Sequence, residues 1–256
     1  EIHCIRWQLF TFLRWKLVII RRLEQEPQDR YPGVPRYALA SAELGQTSLH
    51  VGDLSYLPGY GVPHHYHTGG AEETQIKLSG ELECWVGGKR TTVYPGDTVT
   101  ALPGNAHAFH NRTDVVARMI TAFPVTSPET VHIDDVDLED VSEHPSIIRA
   151  GIRRSLFIEE LNGVHRVEHS GNFSGARSTY SYSLEIQPGS AVPVQDFDHE
   201  IALFLAEGSL TGIIGENVML GTNDGAVVAP GVQYGFSNES GTVARLFVIH
   251  PVINPV

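Results

Sequence analysis

Two stretches of this chain can be laid over one another. In "LPGYGVPHHYHTGGAEETQIKLSGEL", Pro58, Gly59, Val62 and Pro63 stand where "QPGSAVPVQDFDHEIALFLAEGSL" has Pro188, Gly189, Val192 and Pro193. In "LPGNAHAFHN", Pro103, Gly104, Phe109 and Asn111 match Pro230, Gly231, Phe236 and Asn238 of "APGVQYGFSN". A repeat of this size means two copies of one fold. A length of 256 residues is comfortable for two small units, each with enough apolar surface for a core. The 25 glycines and 15 prolines fall among short runs of valine, isoleucine, leucine and threonine, which suits short strands joined by tight turns. Long amphipathic helical patterns are scarce. The expected fold is all-β, with one barrel per repeat.

The first repeat carries three histidines within four positions, followed by two adjacent glutamates. On an extended chain, residues two apart share a face, so His65 and His67 point one way and His64 the other. Gly69 and Gly70 supply a turn, and the run from Thr74 to Leu78 reads as a returning strand. Two imidazoles and a carboxylate on the neighbouring strand are three parts of a mononuclear metal site. A fourth is found in "YPGDTVTALPGNAHAFHN", where His107 and His110 are three apart and so face opposite ways. Counting back from the matched glycines Gly80 and Gly208, Glu200 falls opposite Glu72, which favours Glu72 over Glu73. The second repeat offers Tyr234 for His107, and Gln195 and Phe197 near His65 and His67. One metal per chain is therefore expected, held by the first repeat.

The order Gly59, His65-Tyr66-His67, Glu72 and Gly80, with a later Pro-Gly-Asp, Pro103, His107 and Asn111, resembles the two motifs of the cupin superfamily. The second motif is one residue shorter than the usual pattern between proline and histidine. Alternation, the shared face with Phe109 and the spacing to Asn111 favour His107 over His110. The resemblance implies two jelly-roll barrels: an N-terminal extension over 1–30, a metal-binding barrel over 31–125, a connector over 126–176 and a degenerate barrel over 177–256. Among two-repeat cupins the chain looks most like the quercetin 2,3-dioxygenase group. That likeness implies that His65, His67, His107 and Glu72 bind one divalent transition metal. Glu72 would also be the catalytic base, taking a proton from an enolic hydroxyl before dioxygen cleaves the ring. Copper, iron, manganese and nickel are not distinguishable from such donors.

Alternation counted from Glu72 puts Thr74, Ile76 and Leu78 inward with Phe109, and Gln75 and Lys77 outward. The inferred pocket is apolar, without a cation near the metal, and suits a hydrophobic or aromatic substrate such as a flavonol. Alternatives on the same scaffold are an oxygen-independent isomerase, cyclase or decarboxylase, or a binding protein without catalysis. The net charge of −12, with no large basic cluster, argues against nucleic acid. No phosphate loop, Cys-x-x-Cys pair or nucleophile elbow occurs. The apolar run near the N-terminus is broken by Arg14 and Lys16 and is too short to span a membrane. It is expected to pack on a barrel or a partner copy, as in a homodimer. Cys84 reads as a buried apolar residue, and the two cysteines leave the compartment open, the cytoplasm favoured over secretion. Sequons at Asn111 and Asn238 fall on the repeated motif, where a buried asparagine is expected.

Overall fold

The computed structural model describes residues 18–134, 139–156 and 158–253. Among these residues it is built from β-strands, with one short α-helix, Ala150–Leu156, between the repeats. Each repeat closes a larger sheet against a smaller one. In the first, a seven-stranded sheet runs Ile147–Ile148, Thr98–Ala101, Glu73–Ser79, Ala117–Phe123, His50–Tyr56, Val34–Ala40 and Gln28–Tyr31. Its partner sheet runs Thr130–His132, Gly61–His67, His107–His110, Leu82–Val86, Lys89–Val93 and Glu139–Asp140. The second repeat pairs a seven-stranded sheet with a four-stranded one that contains Ala191–Gln195 and Tyr234–Ser237.

The repeat holds down to single hydrogen bonds. Asn111 Nδ2 donates to the Tyr56 and Val115 carbonyls, while its Oδ1 accepts from the Thr113 N–H and hydroxyl. Asn238 does the same with Ile186, Thr242 and Ser240. Both asparagines are fully buried, so neither sequon is open to a glycan. A Cβ at Gly80 would lie 2.9 Å from Ala117 Cα, and one at Gly208 would lie 2.9 Å from Ala244 Cα. Both glycines also have positive φ, so each turn demands the residue it has.

Strand parity decides which side chains reach which core. Along His50–Tyr56, Leu54 and Tyr56 face the interior of the first barrel with Val62, Cys84 and Phe109, while Val51 joins a separate cluster with Ile76, Ile120, Phe204, Phe247 and Ile249. That second cluster is drawn from both repeats, so the two large sheets pack face to face.

The boundaries differ from the sequence expectation. Within the N-terminal stretch, Val18–Arg21 pairs with Asp224–Val228 of the second barrel, and Gln28–Tyr31 pairs with the strand Val34–Ala40 of the first. The expected connector over 126–176 is divided between the barrels. Thr130–His132 pairs with Gly61–His67, and Val164–Ser170 pairs with Tyr180–Ile186. Ile158–Leu161 and Val164–Ser170 are the second copy's counterparts of Gln28–Tyr31 and Val34–Ala40, so the second barrel begins inside the expected connector.

Candidate metal centre

His65, His67, Glu73 and His107 are all buried, and their donor atoms lie within 4.8 Å of one another. Glu73 Oε2 lies 2.7 Å from His107 Nε2 and 3.2 Å from His67 Nε2. Two devices bring the histidines together. The pairing of His107 with His65 shifts by one residue before that of Phe109 with Val62, a bulge at Pro63, which has no N–H to give to the ladder. The second barrel repeats the shift between Gln195 and Val192, around Pro193. Each ring is then oriented from behind. His65 Nδ1 lies 2.8 Å from the Pro63 carbonyl, His67 Nδ1 3.1 Å from that of Glu129 and His107 Nδ1 2.9 Å from that of Asn105. These partners take the Nδ1–H and aim every Nε2 at the common point; those of His67 and His107 donate to Glu73, and a metal would replace those protons.

The electrostatics suit the same use. Burial, helped by neighbouring His107, pushes the His65 ring down to about 3, so it is neutral and has a lone pair to give. Burial opposes the Glu73 charge, but hydrogen bonds from His107 and His67 outweigh it and hold the carboxyl well below the usual range. For His67, burial disfavours the proton and Glu73 more than restores it. Three imidazoles and a carboxylate fit one divalent transition metal ion.

Glu72 is not part of this group. It is fully buried and turned away, toward the second barrel, where its carboxylate accepts from the backbone N–H groups of Arg177, Ser178 and Thr179 and from the Thr179 hydroxyl, at 2.6–3.0 Å. Glu200 answers from the other side. It accepts from the N–H groups of Thr47 and Ser48 and from the Ser48 hydroxyl. The pair forms a reciprocal latch between the barrels, and the position opposite Glu73 is held by Ile201.

The pocket expectation shifts by one with it. Since Glu73 is inward, so is Gln75, while Thr74, Ile76 and Leu78 face the other barrel. Thr74 Oγ1 is 2.8 Å from Thr179 Oγ1, and Ile76 and Leu78 belong to the cluster between the sheets. Phe109 is placed as expected, at the wall of the metal cavity. His110 is on the outer face, where its ring meets the backbone near Gly61. His64 also faces out, its ring 5.1 Å from that of Trp85.

The cavity holds about 580 Å³ of empty space, open mouth included. Tyr31, Leu54, Tyr56, Val62 and Phe123 make it largely apolar, as expected. Two arginines, Arg30 and Arg36, also line it, contrary to the expectation of no cation. Arg36 and its partner His50 lie upstream of the motifs, on strands whose spacing carries no metal-ligand signal. The sequence pointer to them was the repeat, in which Arg36 falls opposite Arg166.

The second barrel has no such centre among the described residues. Gln195, Phe197, Ile201 and Tyr234 replace the four donors, and Gln195 Nε2 donates to the Tyr234 hydroxyl at 3.0 Å. Tyr182, Tyr234 and Phe236 fill its core.

Residues 52–123 match the cupin domain family. Over 110 residues the chain is 27% identical to the tetracenomycin polyketide synthase protein TcmJ of Streptomyces glaucescens, covering 42% of this chain and 73% of that protein. Among solved structures, salicylate 1,2-dioxygenase of Pseudaminobacter salicylatoxidans superposes with a TM-score of 0.74 at 14% identity, covering 92% of this chain and 84% of that one. Oxalate decarboxylase of Bacillus subtilis gives a TM-score of 0.74 at 13% identity, covering 93% and 77%. The fold is thus that of two-barrel cupins.

Proposed function

We propose that this protein is a metal-dependent dioxygenase that opens the ring of a hydroxylated aromatic or enolic substrate, a flavonol or a polyketide-type phenol. The observation that carries the reading is one cavity with two ends: the four donors His65, His67, Glu73 and His107 at one, and the rings of Tyr56, Phe109 and Phe123 with Leu54 and Val62 at the other. The apolar end packs against an aromatic ring and excludes water, which strengthens every polar contact made inside. A divalent ion held by the four donors would supply Lewis acidity and open positions for oxygen ligands. Glu73, not Glu72, is then the base. Its Oε2 is shared by two imidazoles, and Oε1 has no protein partner among the described residues, so Oε1 is the atom to take the proton of a substrate hydroxyl.

The structural likeness to salicylate 1,2-dioxygenase supports this reading at the level of fold. The similarity to the tetracenomycin polyketide synthase protein favours a second one, an oxygen-independent cyclisation or isomerisation of a polyketide on the same donors. Oxygen uptake separates the two. Protein loaded in turn with manganese, iron, nickel and copper is expected to consume dioxygen with a flavonol or polycyclic phenol. Product formed without oxygen uptake would establish the second reading, and neither uptake nor product with any metal would remove both.

A further inference from the structure

Arg36 sits inside the metal barrel with no acid in ion-pair contact among the described residues. Its Nη1 donates to Gln28 Oε1 at 2.7 Å, and its Nη2 meets His50 Nε2 at 2.7 Å and the Val51 carbonyl at 3.3 Å. All three acceptors are neutral. His50 is held so, because burial and then the Arg36 charge push its ring down to about 4, and its Nδ1 is used on the Thr126 carbonyl. Three of the five guanidinium N–H donors are thereby satisfied, and two remain. Among the described residues no carboxylate lies within ion-pair distance of Arg36. Burial lowers its affinity for a proton to a value of about 10, which still leaves it charged.

The repeat shows that this is a local arrangement and not a habit of the fold. Arg166 occupies the same place in the second barrel, but there Glu168 and Glu159 lie 3.6 and 3.9 Å away. The guanidinium also stacks over Tyr182 at 4.3 Å. In the metal barrel the residue opposite Tyr182 is Gly52, and a Cβ there would stand 2.5 Å from Arg36 Nε. Glycine lets the arginine lie across the sheet, and its neighbours leave its charge unmatched. A divalent ion and Glu73 together leave one positive charge, Arg36 adds a second inside the cavity, and Arg30 adds a third at its exposed rim. A cavity with this excess of positive charge attracts an anion.

We infer that Arg36 is an anion subsite of the cavity, seating an acid group of the substrate while the substrate's hydroxyl oxygens face the four donors. This deepens the proposed function and rests on the reading of those donors as a metal site. It narrows the substrate from any flavonol-like phenol to a hydroxylated aromatic acid. A guanidinium matches the planar geometry of a carboxylate, which a lysine cannot do as well.

Zinc-loaded protein tests this without oxygen chemistry. Protocatechuate and its carboxamide share the chelating hydroxyls and nearly the same shape, and differ in the acid group. By calorimetry, protocatechuate is expected to bind at least tenfold more tightly than the carboxamide. Arg36→Met should abolish that ratio while leaving carboxamide binding and zinc content in place, and Arg36→Lys should restore part of it. Gly52→Ala gives the same loss by displacing the guanidinium with its charge intact, which covers the case of an Arg36→Met protein that fails to fold. Equal affinity for the two probes in the wild type, binding of neither, or a ratio that survives both Arg36→Met and Gly52→Ala would overturn the inference. Preserved discrimination without oxygen uptake by the iron, nickel, manganese and copper forms would instead leave the subsite standing and remove the dioxygenase.

Discussion

Replacing Glu72 by glutamine separates the latch from the metal centre. Oε1 of Glu72 accepts from the Ser178 and Thr179 N–H groups and the Thr179 hydroxyl, while Oε2 accepts from the Arg177 N–H at 2.7 Å. Glutamine can keep the three bonds on its oxygen, each weakened from charge-assisted to neutral. Its amide nitrogen then confronts the Arg177 N–H, donor against donor. Loss of one hydrogen bond to a charged group costs about 1.5–3 kcal/mol, and the weakened three add to that. Cheaper burial of an uncharged amide offsets part of the loss, so the net cost should be about 3 kcal/mol. For a chain of this size each kcal/mol moves the midpoint by about 2–4 °C, which gives a fall in Tm of roughly 6–12 °C. Calorimetric unfolding of metal-free wild type and variant measures this, since bound metal would stabilise both. Elemental analysis of the loaded proteins should show metal content unchanged. An unaltered Tm together with lost metal would refute the reasoning and restore Glu72 as a ligand.

Other outcomes follow from the same geometry. Glu73→Gln and His107→Ala should each lower metal content several-fold by elemental analysis, because each removes a donor that also orients its neighbours, whereas His110→Ala on the outer face should retain metal. Wild-type protein should hold one metal per chain, and the double change Tyr234→His with Gln195→His should not add a second, because Phe197 and Ile201 still occupy the other two donor places. His250 is fully buried and its ring is pushed down to about 3, by burial first and then by His199 and Arg166. The unfolded chain therefore binds a proton that the native one refuses, and stability falls as pH drops from about 6.5 toward 3. His250→Phe, which copies Phe123 of the first barrel, should reduce that slope by one proton's share in urea titrations at pH 7, 5.5 and 4.5, leaving the part due to His65 and His50.

Much of the molecule was legible from the repeat. It announced two copies of one β fold, buried asparagines at Asn111 and Asn238 and a second copy without the donors, while strand alternation gave the inward histidines His65, His67 and His107. The exchange of strands between the barrels was not legible: Val18–Arg21 pairs with Asp224–Val228 of the second barrel and Ile147–Ile148 with Thr98–Ala101 of the first, a swap that matching the motifs along the chain does not reveal. The cation in the cavity was missed for a related reason. Pocket polarity was judged from the two motif segments, and Arg36 reaches in from a strand thirty residues upstream, over a glycine whose role is visible only once the sheet is assembled.

The choice between the two glutamates turned on what a degenerate repeat preserves. Glu200 aligns with Glu72, and that match favoured Glu72 as the ligand. The second barrel has lost every other donor, so a carboxylate that persists there serves something both barrels still do. What they share is the face on which they meet. Each carboxylate caps the backbone of the opposite barrel, Glu72 at residues 177–179 and Glu200 at residues 47–48, and these two segments are themselves equivalent in the repeat. The residue that marks the chemistry is the one that changes, Glu73 to Ile201, alongside His107 to Tyr234. Because Glu72 and Glu73 are adjacent on the chain, with side chains on opposite faces of the sheet, the latch also fixes the strand that carries the metal carboxylate. Glu72→Gln should therefore lower stability and leave the metal in place, while any effect on turnover passes through the placement of Glu73.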